Sequence, residues 1–192
     1  MALAYESSVP AAYRTAFIQK VQTISNRLGI DPNWLMIVMR FESANSFSPS
    51  VKNPSSGAVG LIQFTSKTAS SLGTSLTALS LMDALSQLDY VEKYLTPYKG
   101  RMLNLYHVYM AVFAPAYIGR PDAQKVYETP SLSYTYNKSL DTNNDGIITV
   151  GEINSVIRRY IPAGFESVTP TDPAVPIVAG AAALFLLYKI LS

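Results

Sequence analysis

The stretch that decides the fold is DPNWLMIVMRFES, residues 31–43. An aspartate followed directly by proline is a strong helix start, because its side chain caps the first turn and proline fits the first helical position. Apolar residues at 35, 38 and 39 then lie on one face, and from residue 44 to residue 60 the chain is rich in serine, asparagine, proline and glycine. We therefore predict a buried helix that ends near Ser43 and leads into a loop.

Further helical segments flank this one on both sides. Apolar spacing predicts a first helix from Pro10 to Gly29, and a short helix follows Thr65. A capping box of Ser80 and Asp83 predicts the start of a third long helix, and residues 102–113 form a fourth. No stretch shows strand alternation, so we predict an all-α fold whose compact core ends near residue 130.

The composition excludes several classes of function. Hydrophobic residues make up 48% of the 192 positions, which is enough for a folded core. The net charge is only +2 and the basic residues are scattered, so we expect no nucleic-acid partner. Cysteine is absent, and His107 is the single histidine. A histidine-based triad or metal site would depend on that one residue, which we interpret as an ordinary packed side chain.

Glu42 is the candidate catalytic residue. Leu35, Val38 and Glu42 are spaced i, i+3, i+7, which places the glutamate on the buried face of its helix. Burial and the negative end of the helix dipole would both raise its pKa, as a general acid near neutral pH requires. The alternative is a glutamate whose stem packs while its carboxylate reaches water.

The loop that follows carries a second candidate group. In GAVGLIQF, residues 57–64, two glycines allow backbone to approach a ligand, and Gln63 offers both a donor and an acceptor. Such an amide is suited to hold sugar hydroxyls or an N-acetyl group.

Taken in order, Glu42-Ser43, the loop and the GLIQF block resemble the soluble lytic transglycosylases of the goose-lysozyme-like group. Residues 114–119 (APAYIG) resemble a phage version of that family's Ala-Tyr-Asn-x-Gly segment, and the resemblance covers about residues 12–125. It implies a lysozyme-like helical domain that acts on peptidoglycan. Carried over position by position, it makes Glu42 the acid/base, Ser43 and Gln63 supporting polar groups, and Tyr117 the active-site tyrosine. Apart from the resemblance, the aromatic residues Phe64, Tyr106, Tyr109 and Tyr117 could line a sugar groove, although aromatic residues at helical spacing are more often core. The sequence departs at Ile118, where many relatives have asparagine.

The acidic residues suggest which reaction this is. Ordinary glycosidases need two carboxylates, and no Asp or Glu lies between Ser43 and Met82. A single-carboxylate lytic transglycosylase fits best, and the resemblance implies a 1,6-anhydro product. A muramidase that hydrolyses the same bond is the enzymatic alternative. A catalytically silent virion or envelope protein with this fold is the structural one.

Residues 141–152 (DTNNDGIITVGE) match an EF-hand calcium loop. The segments on both sides can be helical, and a single loop favours a structural Ca²⁺ site over a sensor. No cofactor is expected for catalysis. The predicted ligands are the side chains of Asp141, Asn143, Asp145 and Glu152, the carbonyl of Ile147, and Thr149 directly or through water.

The C-terminal end is apolar from Val175 to Leu191 except for Lys189. We predict a membrane-anchor helix, with a helix packed on a partner subunit as the rival. The expected organisation is a catalytic domain (1–130), an EF-hand segment (131–162), a linker (163–174) and the anchor (175–192). We expect no secretory signal at the N-terminus, and hence a virion-associated, membrane-anchored phage protein that acts on the bacterial wall.

Overall fold

The computed structural model describes residues 2–165, so the predicted anchor and most of the linker lie outside the described residues. Within that range the fold is mostly helical, as predicted, with two short strands. No described helix is both long and apolar enough to cross a membrane. The elements are α1 (Arg14–Leu28), α2 (Pro32–Glu42), α3 (Ser66–Ser71), α4 (Leu76–Leu81), α5 (Ala84–Leu95), α6 (Leu105–Phe113), β1 (Lys125–Glu128), α7 (Leu132–Asn137), β2 (Ile147–Thr149) and α8 (Val150–Arg158).

Helix α2 is the centre of the molecule. Its start is as predicted, since Asp31 caps the helix by accepting the Asn33 N–H at 2.7 Å and Pro32 takes the first position. Five consecutive residues, 35–39, are fully buried, so the helix is apolar on most sides. It packs against α1, α6 and α8. Burial all round explains why its last residue, Glu42, ends up inside the protein.

Helix starts were the weaker part of the prediction. The prediction of a capping box formed by Ser80 and Asp83 is wrong. Asp83 alone caps α5, accepting the Ser86 N–H at 2.8 Å, and Ser75 caps the preceding helix, α4. Helix α1 begins at Arg14 rather than Pro10, and α6 begins only after the Asn104 cap. At α6 the Asn104 side chain accepts the His107 N–H at 2.9 Å, whereas no side chain caps the start of α1.

The two strands were not predicted. Strands β1 and β2 pair antiparallel, with Lys125 opposite Thr149 and Glu128 opposite Ile147. They are four and three residues long, too short for an alternating pattern to be recognised. The pair joins the region after α6 to the predicted calcium loop.

The segment after residue 130 shares the core of the rest of the protein. Ile153 and Ile157 on α8 are fully buried, and α8 packs against both α2 and α6. The Tyr160 ring lies edge-on to Phe41, 4.7 Å between centroids. The C-terminal helix therefore directly contacts the helix that carries Glu42.

Candidate active site

Glu42 is the last residue of α2 and is 8% exposed. Two tyrosines from other helices lie close enough for the charge of the Glu42 carboxylate to raise their pKa values. Burial raises the pKa of Tyr109 on α6, and the negative charge of Glu42 raises it further. The pKa of Tyr94 on α5 is raised in the same way, by burial first, then by Tyr98 and Glu42. Glu42 thus sits where three helices meet, in a low-dielectric setting that suits an acid/base group.

The two tyrosines differ in their hydrogen bonding. The Tyr94 hydroxyl donates to the Ala111 carbonyl at 2.9 Å, which fixes it. The Tyr109 hydroxyl is fully buried and has no hydrogen-bond partner among the described residues. A buried hydroxyl without a partner is costly, so its place beside Glu42 is unusual for a purely structural residue. The sequence places Tyr109 among the aromatic residues that could line a sugar groove, with a core position as the alternative, and does not pair it with Glu42.

Ser43 shapes the loop behind the catalytic candidate. It is fully buried, and its Oγ accepts the Phe47 N–H at 2.9 Å while its carbonyl accepts from the Ser46 hydroxyl at 2.6 Å. Ala44, Asn45 and Phe47 all have positive φ, a conformation that costs energy for residues other than glycine. The Ser43 hydroxyl therefore holds a strained turn directly after Glu42.

The GLIQF block forms a tight turn in the wall of the site. Val59 and Phe64 exchange backbone hydrogen bonds at 3.0 and 2.8 Å, which closes the loop between them. Gln63 lies in this turn with φ of 51° and is 3% exposed. Its Nε2 donates to the Gly60 carbonyl at 3.1 Å, whereas its Oε1 is buried without a partner among the described residues. Gln63 thus has one acceptor oxygen that no described residue uses.

Gln87 on α5 anchors this turn, and sequence reasoning missed it. Its Oε1 accepts the Leu61 N–H at 2.7 Å, and its Nε2 donates to the carbonyls of Pro49 and Leu79, both at 2.9 Å. A Cβ on Gly60 would lie 2.2 Å from the Gln87 Oε1, so only glycine fits there. One fully buried amide therefore joins the GLIQF turn, the loop at Pro49 and helix α4. No sequence signal distinguishes it from a surface glutamine.

The aromatic residues predicted to line a sugar groove differ in exposure. Phe64 is 1% exposed and packs edge-on against Tyr94, so it supports the wall from behind and offers no surface to a substrate. Tyr117 follows α6 in a 3₁₀ turn, half-buried, with its hydroxyl 3.5 Å from the Val126 carbonyl. Ile118, the departure from the family pattern, is buried in the core.

The other acidic residues near this region have their own partners. As expected from sequence, Asp31 and Asp83 cap helices. Asp89 pairs with Lys20 at 2.6 Å and Glu92 pairs with Arg27 at 2.6 Å, both between α1 and α5. Asp122 accepts from Asn154, and Glu128 pairs with Lys125. These contacts leave Glu42 as the buried carboxylate at the junction of α2, α5 and α6.

The predicted calcium loop turns around the Asp141 carboxylate. Asp141 Oδ1 accepts the Asp145 N–H at 3.2 Å, and its Oδ2 accepts from Gly146 N at 2.9 Å and from the Tyr134 hydroxyl at 2.7 Å. The hydrogen bond from Tyr134 is the main reason that the pKa of Asp141 is lowered. Asn144 and Gly146 have positive φ, as a sharp loop requires. The first predicted ligand is thus ionised and oriented.

The last predicted ligand is engaged elsewhere in the loop. Glu152 Oε2 accepts the Thr149 N–H and Oε1 accepts the Thr142 N–H, both at 2.9 Å. Among residues 2–165, no three His, Cys, Asp or Glu side chains are grouped so as to hold a metal. The donor set nevertheless suits Ca²⁺, because half of the predicted ligands are amide, hydroxyl or carbonyl oxygens. Binding would require Glu152 to turn from Thr142 toward the loop centre.

The end of α8 is tied to the end of α2. The Tyr5 hydroxyl donates to the Tyr160 carbonyl at 2.7 Å, and the Arg40 guanidinium lies 5.1 Å above the Tyr5 ring. Arg40 also donates to the Asn45 carbonyl in the strained turn after Glu42. With the contact between Phe41 and Tyr160, these bonds connect the N-terminus, α8 and the candidate site.

Comparison with known proteins gives one match. The sequence model of the family described as "Transglycosylase SLT domain" matches residues 19–131. That range runs from α1 through β1 and includes Glu42, Gln63, Gln87 and Tyr109. No curated protein and no solved structure matches the chain.

Proposed function

From the premise that the chain belongs to the transglycosylase SLT domain family, we propose that it is a peptidoglycan lytic transglycosylase with Glu42 as its single catalytic carboxylate. The observation that carries this proposal is the buried position of Glu42 between the helices of Tyr94 and Tyr109, with the other nearby acidic residues in caps or ion pairs. A buried carboxyl in low dielectric can stay protonated near neutral pH and donate its proton.

In the proposed reaction, Glu42 first acts as the acid. Its proton goes to the glycosidic oxygen between MurNAc and GlcNAc, and the bond from that oxygen to the MurNAc anomeric carbon breaks. The substrate's own N-acetyl oxygen stabilises the sugar cation. Glu42, now a carboxylate, takes the proton of the sugar's 6-hydroxyl, whose oxygen closes on the anomeric carbon. The products are a 1,6-anhydro end and a free 4-hydroxyl, and no water is consumed.

The wall of the site supports this assignment. The free Oε1 of Gln63 is an acceptor for a sugar hydroxyl or for the N–H of an N-acetyl group. Gln87 and Ser43 hold the two loops on either side of Glu42 and contribute by positioning. Tyr117, in the 3₁₀ turn after α6, would also contact the substrate.

Product analysis tests the proposal. Purified peptidoglycan is incubated with the full chain and with Glu42→Gln, and the fragments are identified by mass spectrometry. We expect anhydro-muramic ends that are absent with the variant. Reducing ends would establish a muramidase instead, and intact glycan with both proteins would favour a silent structural role.

We also propose that residues 141–152 bind one structural Ca²⁺. The support is the ligand spacing, the ionised Asp141 and the helix on each side of the loop. The ion would neutralise three carboxylates that lie within twelve residues of one another, and so fix α8 relative to α7.

We propose that the enzyme opens the wall locally as part of a phage particle, attached to a membrane through residues 175–192. The support is the apolar composition of that segment. Flotation with lipid vesicles tests it: the full chain should float with the vesicles, and a chain that ends at Thr169 should not. Equal behaviour of the two would favour a protein partner for the segment.

A further inference from the structure

Tyr134 lies outside the predicted calcium loop but contacts its first residue. The tyrosine is on α7 and is buried, and its hydroxyl donates to Asp141 Oδ2 at 2.7 Å. The spacing that predicts the loop concerns only residues 141–152, and the family match ends at residue 131. Neither of them gives Tyr134 a role, so its bond to a predicted Ca²⁺ ligand calls for a separate explanation.

The two carboxylate oxygens of Asp141 differ in how many donors they accept from. Oδ2 accepts from the Tyr134 hydroxyl and from the Gly146 N–H, at 2.7 and 2.9 Å. Oδ1 accepts only the longer bond from the Asp145 N–H, at 3.2 Å. Because a carboxylate oxygen has two lone pairs, Oδ2 is filled and Oδ1 keeps one lone pair for a cation. Carboxylates bind Ca²⁺ through one oxygen or through two, and this arrangement selects one oxygen for Asp141.

Both donors to Asp141 Oδ2 are held by other parts of the protein. The Tyr134 N–H donates to the Ser131 hydroxyl at 3.0 Å, in the cap of α7. The Gly146 carbonyl accepts the Thr129 N–H at 2.9 Å, and a Cβ on Gly146 would lie 3.1 Å from Thr129 Oγ1. The Asp141 carboxylate is therefore fixed from two sides, by α7 and by the turn that rests on Thr129.

The two ends of the loop are prepared to different degrees. The side chains of Asn143 and Asp145 each accept a backbone N–H within the loop, at 3.0 and 2.9 Å, so the first half is already folded. Glu152, at the other end, forms a capping box with Thr149 and has to turn toward the loop centre. A ligand that is ordered before binding lowers the entropic cost of binding. The affinity of the loop should therefore depend on what orders Asp141.

We infer that Tyr134 is a positioning residue for the proposed Ca²⁺ site: its hydroxyl occupies Asp141 Oδ2 and so holds Oδ1 ready as the single metal-binding oxygen. This role rests on the proposal that residues 141–152 bind one structural Ca²⁺. It adds a side chain from outside the loop, and with it α7, to the groups that determine affinity. Hydrogen-bond partners of metal ligands typically contribute about 10- to 100-fold to metal affinity.

Calcium titration of the full chain tests this role. The probe is Ca²⁺ alone, added in a calorimeter after bound metal has been removed with a chelator. We expect one bound ion in the wild type and a Kd that Tyr134→Phe raises about tenfold or more. Tyr136→Phe, the same change at an exposed tyrosine of the same helix, should leave the Kd unchanged. Glu152→Gln should weaken binding, which would locate the measured ion in this loop.

Two further measurements separate positioning from simple stabilisation of the fold. A hydroxyl that only stabilised the fold would lower the melting temperature in chelator and leave the Kd unchanged, because the free and the Ca²⁺-bound protein would lose the same bond. In the wild type, the hydroxyl proton of Tyr134 can be followed by NMR, assigned by its absence from Tyr134→Phe. This signal should persist at saturating Ca²⁺, and its loss on saturation would overturn the inference, because Asp141 Oδ2 would then have changed partner.

The outcomes distinguish Tyr134 from the site that it serves. An equal Kd for the wild type and Tyr134→Phe would overturn the positioning role and keep the calcium site. A wild type that binds no Ca²⁺ would overturn both. Neither the Kd nor the hydroxyl signal depends on glycan cleavage, so a failure of the Glu42 proposal would leave both readouts intact.

Discussion

Two regions of this protein share one hydrophobic core, but only the first of them matches a known family. Residues 19–131 match the transglycosylase SLT domain family, whereas residues 132–161 lie beyond the match and contain the predicted calcium loop. Yet Ile153 and Ile157 are as deeply buried as the residues of α2, and Tyr160 packs on the residue before Glu42. The difference teaches that a family boundary need not be a folding boundary: the second region completes the first.

The two regions can be compared by making the same substitution, glutamate to glutamine, once in each. The largest expected effect is that of the substitution in the first region. Glu42→Gln removes the proposed acid and should lower the rate of glycan cleavage by about 10²- to 10⁴-fold. The melting temperature should hardly change, because the amide has the same shape and carries no buried charge. Turbidity loss of purified walls measures the rate, and cleavage retained within threefold of wild type, roughly 0.7 kcal/mol, would remove Glu42 from the mechanism.

The corresponding change in the second region is Glu152→Gln. If the loop binds Ca²⁺, ion at about 100 times its Kd should stabilise the wild type by about 2.7 kcal/mol, and the variant should lose most of this. Thermal melts with Ca²⁺ and with a chelator measure the difference. Glu128→Gln, a change in an exposed ion pair, is the matched control and should respond to Ca²⁺ like the wild type. A wild-type melt indifferent to chelation would show that the loop binds no structural ion.

Within the first region, Gln87→Leu should be strongly destabilising. It leaves the Leu61 N–H and the carbonyls of Pro49 and Leu79 without their partner, at a cost of about 3 kcal/mol or more. Gln22→Leu, on the exposed side of α1, should change stability by less than about 0.5 kcal/mol. Denaturant unfolding of both variants provides the comparison. Equal stability would mean that Gln87 does not hold the GLIQF turn.

The smallest expected effect concerns His107, at the boundary between the regions. Burial lowers its pKa in the folded protein. A base with a lowered folded pKa contributes its full stability above the unfolded pKa, about 6.5, and loses it as the pH falls toward the folded value. The melting temperature of the wild type should therefore fall more steeply than that of His107→Asn below about pH 6.5. Parallel curves for the two proteins would show that His107 is not the titrating group.

The sequence predicts the elements better than their contacts. Asp31-Pro32 and the apolar run after it located α2 correctly, because cap chemistry and periodicity are local. Strands β1 and β2 were missed because three or four residues carry no periodic signal. The predicted Ser80 cap of α5 was wrong because Asp83, three residues later, caps that helix, and Ser80 lies inside the short helix α4.

Prediction of the candidate site is limited in the same way, because residues that act through distant parts of the chain carry no local signal. Glu42 could be found because its motif and its helical phase agree. Gln87 could not, since its role comes from Leu61, 26 positions away in the chain, and the sequence gives Tyr109 only as a groove or core aromatic without its place beside Glu42. Phe64, predicted to contact sugar, is in the core because the turn that carries Gln63 points its next side chain inward.

The most direct test of the central claim is to run the reaction in water enriched in heavy oxygen. A lytic transglycosylase closes the sugar on its own 6-hydroxyl, so the account predicts glycan products that contain no heavy oxygen and end in anhydro-muramic acid. These products should be absent with Glu42→Gln. Incorporation of one heavy oxygen at each newly formed reducing end, on the MurNAc anomeric carbon, would contradict the account, because water would then be the nucleophile and a second carboxylate would be needed to activate it.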